Sequence, residues 1–464
     1  LKMSLIEKYI KGIRFLLPSP FSIALLLTLF TIFLALIWPS QNLSENQNWL
    51  DKFSNILNSW NDGLWDVKGL AFAIQMMLML LLGHVLALSR PVDFVINQLF
   101  PFCSNNARSA LIITFFTLIV SWFNWGLGLV FGAIFCKKIM DYAAKSSIGL
   151  NHGLIGACGY SGLMIWHGGM SGSSLVKISE RGHLIDLAPK SIKSNVPELI
   201  DFSNTVFSNM NIAVTFSLLV ALPITMYLLG KKTKVVVPNV KMLSEKNHQK
   251  STLIGLEKFD HSKFVGLVVG FFILLFCGYL AFSHPSTSSF QFINPNYLNL
   301  ILLGLALVFH GKIYAFLKAI EKAIGGTAGI LIQFPLYFGI MGIVSDTGII
   351  SNLAAYFQTI STNYTYPIFT FISAGMVNFF VPSGGGQWYI QGPLIIQSAV
   401  EMGIPLNKSI MAMAYGDQLT NMMQPFWALP LLGITGLKAK DILPYTLLMM
   451  VVGFIIFTLA LLIF

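Results

Sequence analysis

Five stretches of this chain are apolar for close to the length a helix needs to cross a bilayer. They are Phe15 to Trp38, Leu70 to Leu88, Val265 to Phe282, Ile330 to Val344 and Tyr445 to Phe464. A hydrocarbon core takes ~20 residues of helix, and lipid offers the backbone no partner, so only helices and closed barrels can span it. A barrel would show short alternating strands, a pattern this sequence lacks. Charged residues make up 10% of the chain, against about 25% in a soluble domain. The fold class expected is therefore an all-α polytopic membrane protein.

The formal charge of +10 could suggest an acidic partner, but its placement argues against nucleic acid. Eight lysines lie between Lys231 and Lys263, against Glu245, Glu257 and Asp260. That is the pattern of a cytoplasmic loop. Lys8, Lys11 and Arg14 precede the first apolar run. The run is too long for a signal peptide and reads as a retained first helix, with a cytoplasmic N-terminus. Cys103, Cys136, Cys158 and Cys277 have neither paired nor metal-type spacing and read as small apolar residues.

Val381 to Trp388 reads VPSGGGQW, between two apolar stretches. Each glycine costs a helix about 1 kcal/mol relative to alanine, and freed backbone groups at membrane depth are tolerated only in protein or along a cavity. A polar, glycine-rich break there points to a substrate or ion site. The lysine-rich segment (231–262) divides the chain into halves, 1–230 and 263–464, that resemble each other. Gln75 matches Gln333, Asn124 matches Ser383 and Tyr160 matches Tyr415, at offsets of 258, 259 and 255 positions. The repeats so defined cover about 69–229 and 326–464. Arg90 and Arg108 follow the first repeat's opening helix, whereas Ser345 to Pro367 holds no Lys or Arg. That asymmetry places the two loops on opposite sides, making the repeats inverted. Broken helices and re-entrant hairpins in corresponding places are the mark of a secondary transporter. The walk along the chain gives an external interfacial segment at 40–67, an inner amphipathic helix at 91–102, hairpins at 124–140 and 383–400, and broken helices at 150–174 and 407–430.

Two chemistries are available at these breaks. Half-helix N-termini make an anion site without a charged side chain. Ser383, Gly384, Gly385, Gly386 and Gln387 could present one, and Asn124, Gly126 and Gly128 another. Carbonyls at broken helix ends, with side-chain oxygens, can hold Na⁺. Asp417, with Thr420 and Asn421, is the candidate ion-coupling set, and Asp417 the candidate Na⁺ ligand. It is the only acidic residue in a central apolar stretch of either repeat. The alternative is a buried carboxylate capping a half-helix. No arginine lies in either repeat core or anywhere in the second half, which favours a small monoanion over a dianion. Trp125, Trp166, Trp388 and Trp427 flank the breaks and suit a partly apolar ligand. His167 either titrates near neutral pH or is a satisfied buried histidine. Nucleophile-elbow, zincin and Walker A motifs are absent, so neither an enzyme nor an ATP-driven pump is expected, and no cofactor is called for beyond a coupling Na⁺ or H⁺.

Phe380 to Trp388 (FVPSGGGQW), Gln391 to Pro393 (QGP), Tyr415 to Trp427 (YGDQLTNMMQPFW), Asn124 to Leu129 (NWGLGL) and Tyr160 to Gly172 resemble the bacterial short-chain fatty acid transporter family. The likeness runs through both repeats. It implies uptake of short-chain monocarboxylates such as butyrate or acetoacetate across the bacterial inner membrane, with a small carboxylate and the lipid bilayer as partners and room for an oligomer. It leaves the coupling ion open. Rival readings are a transporter of dicarboxylates or other carboxylates, a passive channel, and an intramembrane enzyme acting on lipid, for which Asp417 with His167 is the one reactive pair to nominate.

Single cysteines at Ser244 and Ser361 in a Cys-free background should label from opposite sides with an impermeant reagent. Labelling from one side would sink the inverted arrangement.

Overall fold

The computed structural model describes residues 5–16, 18–37, 48–236, 257–283 and 294–464. Among these, every extended element is helical, and the one β feature is a bridge between Leu150 and Val236. The first half runs α1 (Leu5–Leu16), α2 (Pro20–Ile37), α3 (Trp49–Leu64), α4 (Val67–Ala87), α5 (Arg90–Asn97), α6 (Asn106–Phe123), α7 (Trp125–Lys145), α8 (His152–Tyr160), α9 (Ser173–Ile178), α10 (His183–Leu187) and α11 (Asn209–Lys232). The second runs α12 (Glu257–Asp260), α13 (Lys263–Ser283), α14 (Pro295–His310), α15 (Ile313–Ala323), α16 (Ala328–Thr347), α17 (Ile349–Thr359), α18 (Tyr366–Asn378), α19 (Gly384–Glu401), α20 (Leu406–Thr420), α21 (Pro425–Thr435) and α22 (Ala439–Ile463). Seven described spans are long and apolar enough to cross a membrane. The core of the lysine-rich linker, with Ser244, lies outside the described residues.

Helix starts at depth need acceptors for their orphan N–H groups, and the sequence supplies them. Asn105, Asn124, Asn151, Ser208 and Ser383 each accept from a backbone N–H three positions on, capping α6, α7, α8, α11 and α19. The four cysteines are buried and free.

Two elements of the N-terminal region differ from expectation. The first apolar run is not one helix. Pro18 and Pro20, which lack N–H donors and restrict the residues before them, separate the strongly amphipathic α1 from α2. Tyr9 on α1 donates through its hydroxyl to the Pro444 carbonyl at 3.1 Å. The segment expected at an external interface, described from residue 48 onward, also does more than rest there, because α3 packs closely along α16. A methyl group at Gly63 would lie 2.4 Å from the Phe338 carbonyl oxygen, and one at Gly342 would lie 2.3 Å from that of Ser59. Small residues let these backbones touch.

The spans 124–140 and 383–400, expected to be hairpins, are instead covered by the single helices α7 and α19, because Asn124 and Ser383 cap helix starts rather than open turns within a re-entrant loop. The hairpins are the pairs α6–α7 and α18–α19, whose turns are Asn124 and the 379–383 segment. The open end of the first lies with the C-terminus of α11. Asn106 donates to the Gly230 carbonyl and Asn151 to that of Lys234, at 2.9 and 3.0 Å. The opposite end of the bundle joins Asn407 to the Asn204 carbonyl at 3.0 Å. Near it, Tyr364 bonds the Leu462 carbonyl at 3.4 Å. Helix α8 crosses α7 on glycines. A methyl at Gly132 would lie 2.1 Å from the Gly159 carbonyl oxygen, with no flexible side chain to yield. Gly132→Leu should cost about 1–3 kcal/mol or more, read as a lowered melting temperature and aggregation in detergent; an unchanged melting curve would contradict this crossing.

Candidate substrate and ion site

The two hairpin turns and the two helix breaks meet. Tyr160, at the end of α8, donates through its hydroxyl to the carbonyls of Asn421 and Gln424 at 2.7 and 3.0 Å, tying the first break to the second. The first hairpin turn is tied to the first break: Trp125 N–H donates to Ser171 Oγ at 2.9 Å, and Met170 N–H to the Trp122 carbonyl at 2.9 Å. The second hairpin turn also abuts the first break. A methyl at Gly384 would lie 2.7 Å from His167 Cε1 and 2.8 Å from the Trp166 ring. The absence of a side chain at Gly384 is what lets the imidazole reach the turn.

At the meeting point His167 Nδ1 lies 2.5 Å from Asp417 Oδ2, with both side chains buried. Ser174 N–H donates to His167 Nε2 at 3.2 Å, and Ser174 Oγ lies 2.9 Å from the same nitrogen. A backbone N–H can only donate, so Nε2 accepts, and the neutral ring carries its proton on Nδ1, facing Asp417. Gln418 Oε1 accepts the N–H groups of His167 and Gly168 at 2.9 and 3.0 Å, fixing the strand of chain that bears the histidine. Tyr415 donates to Asn211 Oδ1 at 3.0 Å, and Asn211 donates to the Gly168 carbonyl at 2.7 Å.

Asn378 Nδ2 faces the Asp417 carbonyl at 2.8 Å, Thr420 Oγ1 at 3.0 Å and Asn421 Oδ1 at 2.8 Å. Gln424 Nε2 donates to the Asn378 carbonyl. Three buried amide oxygens of this region, Asn378 Oδ1, Gln387 Oε1 and Gln424 Oε1, have no donor among the described residues.

A cavity of about 600 Å³ ends on the second hairpin turn. Pro382, Ser383, Gly385 and Gly386 line it with Phe72, Phe338, Met341 and Phe426, while Asp62, Asp66, Lys68 and Asp346 line it toward the ends of α3, α4 and α16. Ser383 Oγ accepts the Gly386 N–H at 3.2 Å, and Gln387 N–H bonds the Ser383 carbonyl at 2.8 Å. The N–H groups of Gly384 and Gly385 have no intrahelical acceptor at this helix start.

The predicted residues therefore separate. Ser383, Gly385 and Gly386 line the cavity, and Gly384 backs it against His167 and Trp166. Gln387 is turned inward, donating to the Ala374 carbonyl and to Gln391. Trp388 is fully buried and donates to His183 Nε2 at 3.0 Å, away from the lining. Gly126 faces Leu298 and Met79, and Gly128 packs on Ser121; both serve close packing rather than ligand approach. Asn124 caps α7. Trp125, Trp166 and Trp427 form a chain of rings with Phe72, which reaches the cavity wall. Asp417, Thr420 and Asn421 sit together with His167 alongside. Ser174, Gln418, Asn378, Asn211 and Lys68 were not anticipated. Gln418 lies inside a motif already singled out and Ser174 two residues past another, but Phe72 and Lys68 reach the site from a helix whose local sequence carries no sign of it.

Residues 4–464 match the family described as short chain fatty acid transporter. A protein of Escherichia coli (strain K12), provisionally named a short-chain fatty acid transporter, is 35% identical over 454 residues, 97% of this chain and 96% of its own. One of Haemophilus influenzae with the same provisional name is 34% identical, with 92% of each covered. Among solved structures, the Alcanivorax borkumensis YdaH transporter aligns over 95% of this chain and 98% of its own, at 13% identity and a TM-score of 0.41, too loose to bear on the site. With the GDQLTN and PSGGGQ stretches gathered at one point and the match running nearly end to end, the chain belongs to the short-chain fatty acid transporter family.

Proposed function

We propose that the chain is a secondary active transporter of short-chain monocarboxylates such as butyrate or acetoacetate. The carrying observation is the cavity that ends on Ser383, Gly385 and Gly386. The carboxylate sits at the free N–H groups of the turn, where the helix dipole favours an anion. Phe72, Phe338, Met341 and Phe426 take the short acyl tail. Lys68 is the one cationic lining residue, beside three carboxylates, so a dianion finds little compensation there. The hairpins opening toward opposite ends of the bundle support the inverted repeat and an alternating-access cycle.

Coupling follows from charge. With His167 neutral, the His167–Asp417 pair carries one net negative charge in a dry interior. Such a charge costs several kcal/mol unless neutralised. A cation that neutralises it stabilises the same conformation as the anionic substrate, which is the condition for symport. The short His167 contact favours a proton. Sodium is the second reading, favoured by the donorless oxygens of Asn378 and Gln424 beside Thr420 and Asn421.

The order Ser174–His167–Asp417 resembles a hydrolase triad. Ser174 is fully buried and does not line the cavity, leaving an acyl group no seat beside its hydroxyl. We read the set as holding charge rather than attacking a substrate.

Counterflow of labelled butyrate in proteoliposomes should be saturable and indifferent to succinate; equal counterflow of succinate would overturn the substrate class. A side chain at Gly385 meets only Ser173 Cβ, at 3.9 Å, so the backbone tolerates it while the cavity does not. Gly385→Leu should insert normally and lose transport about 100-fold or more; unchanged apparent affinity would falsify this seat for the carboxylate.

Asp417→Asn should separate coupling from exchange. With a proton as the ion, asparagine imitates the protonated acid, so counterflow survives while accumulation driven by a pH gradient fails. With sodium, apparent Na⁺ affinity falls along with accumulation. Wild-type behaviour in both assays would make Asp417 a structural cap.

A further inference from the structure

We propose that the chain carries a specific site for an anionic phospholipid headgroup, distinct from the transport cavity, between α1 and the α11–α22 pair. A second chamber of about 310 Å³ lies there, lined by Glu7, Ile10 and Lys11 of α1, Asn151, Thr233 and Lys234 after α11, and Tyr445 of α22. Three observations define its ligand.

The first is charge. Lys234 Nζ pairs with Glu7 at 3.1 Å, and Lys11 has no acceptor among the described residues. The lining thus carries two cations and one carboxylate, a net charge of one positive unit. A phosphodiester carries one negative unit, so the match is to a diester rather than to a free phosphate dianion.

The second is shape and polarity. Asn151 Nδ2 donates to the Lys234 carbonyl and Asn106 Nδ2 bonds Thr233 Oγ1, so the polar wall is held in place by the bundle and does not depend on the ligand. The Thr233 hydroxyl gives a glycerol headgroup a hydrogen-bonding partner beside the lysines.

The third is continuity with a tail path. Phe216, Val220, Ile224 and Leu228 recur every four residues on α11 and are exposed, forming one apolar ridge along the helix. Four residues beyond Leu228 is Lys232, at the end of α11 and exposed. An acyl chain lying on that ridge brings its phosphate to Lys232 and the chamber. A soluble anion has no use for the ridge; a lipid needs both. The amphipathic α1, whose basic residues include Lys8 and Lys11, forms the roof, as an interfacial helix does over anionic lipid.

The test is native mass spectrometry of the full chain in detergent, with phosphatidylglycerol and phosphatidylcholine of identical acyl chains offered together. Phosphatidylglycerol should bind preferentially, and each of Lys11→Gln and Lys234→Gln should weaken it about fivefold. Lys190→Gln, in the segment between α10 and α11, should not. Both chamber lysines are exposed, so the variants should fold; melting temperature without lipid checks this. Glycerol phosphate at millimolar concentration should not displace the lipid. Equal binding of both lipids to wild type, or equal loss in Lys190→Gln, would overturn the site. Displacement by glycerol phosphate would reassign it to a soluble phosphate ligand.

Discussion

The buried contact between the Asp417 carboxyl group and the His167 ring is the constraint around which this fold is arranged. Asp417 is held by His167, His167 by Ser174 and its backbone by Gln418. His167 lies in the irregular stretch between α8 and α9, Ser174 in the first turn of α9, and Asp417 and Gln418 in the last turn of α20, so each stands at or beside a helix end next to a break. Such an assembly cannot be built from continuous spans, because the partners must approach along the bundle axis rather than across it. The breaks are therefore part of the electrostatics. Polar groups in hydrocarbon must be satisfied, and a break that satisfies them with its counterpart from the other half costs less than two isolated breaks would.

The same economy explains the glycines. Those at the hairpin crossings, such as Gly132 against Gly159 and Gly128 against Ser121, admit neighbouring backbone or a small side chain, while Gly384 admits an aromatic ring and Gly385 admits open space. One residue type thus serves three purposes within a single site, and only the spatial neighbour distinguishes them.

That ambiguity sets how much was legible in the sequence. Apolar periodicity and length gave the helical membrane class and nearly every span, because bilayer thickness is a one-dimensional constraint that a sequence states directly. Pro18 and Pro20 could have divided the first run, and hydrophobicity alone obscured them. The breaks at Asn124 and Ser383 were legible through cap residues and glycine clusters. The roles inside the breaks were not. Gly126 and Gly128 look like Gly385 in sequence yet face Leu298, Met79 and Ser121. Trp388 looked like a ligand platform and is instead anchored to His183. His167 and Asp417 were each noticed, and even paired as a rival reading. Their contact spans 250 positions, and no local pattern reports a distance of that kind. Phe72 and Lys68 come from α4, whose own sequence says only that it spans.

The crossing of α3 on α16 has a consequence for containment. Gly63 and Gly342, which bring those two backbones together, also line the cavity proposed to take the substrate. Part of its wall is therefore bare main chain pressed against main chain, with no side chains whose rotation could open a gap. Short acids dissolve in lipid once protonated, so a carrier for them must be leakproof sideways as well as gated at its ends. In the alternating-access cycle proposed above, such a seam of glycine would act as a lateral gasket that stays shut while the chamber opens at one end or the other.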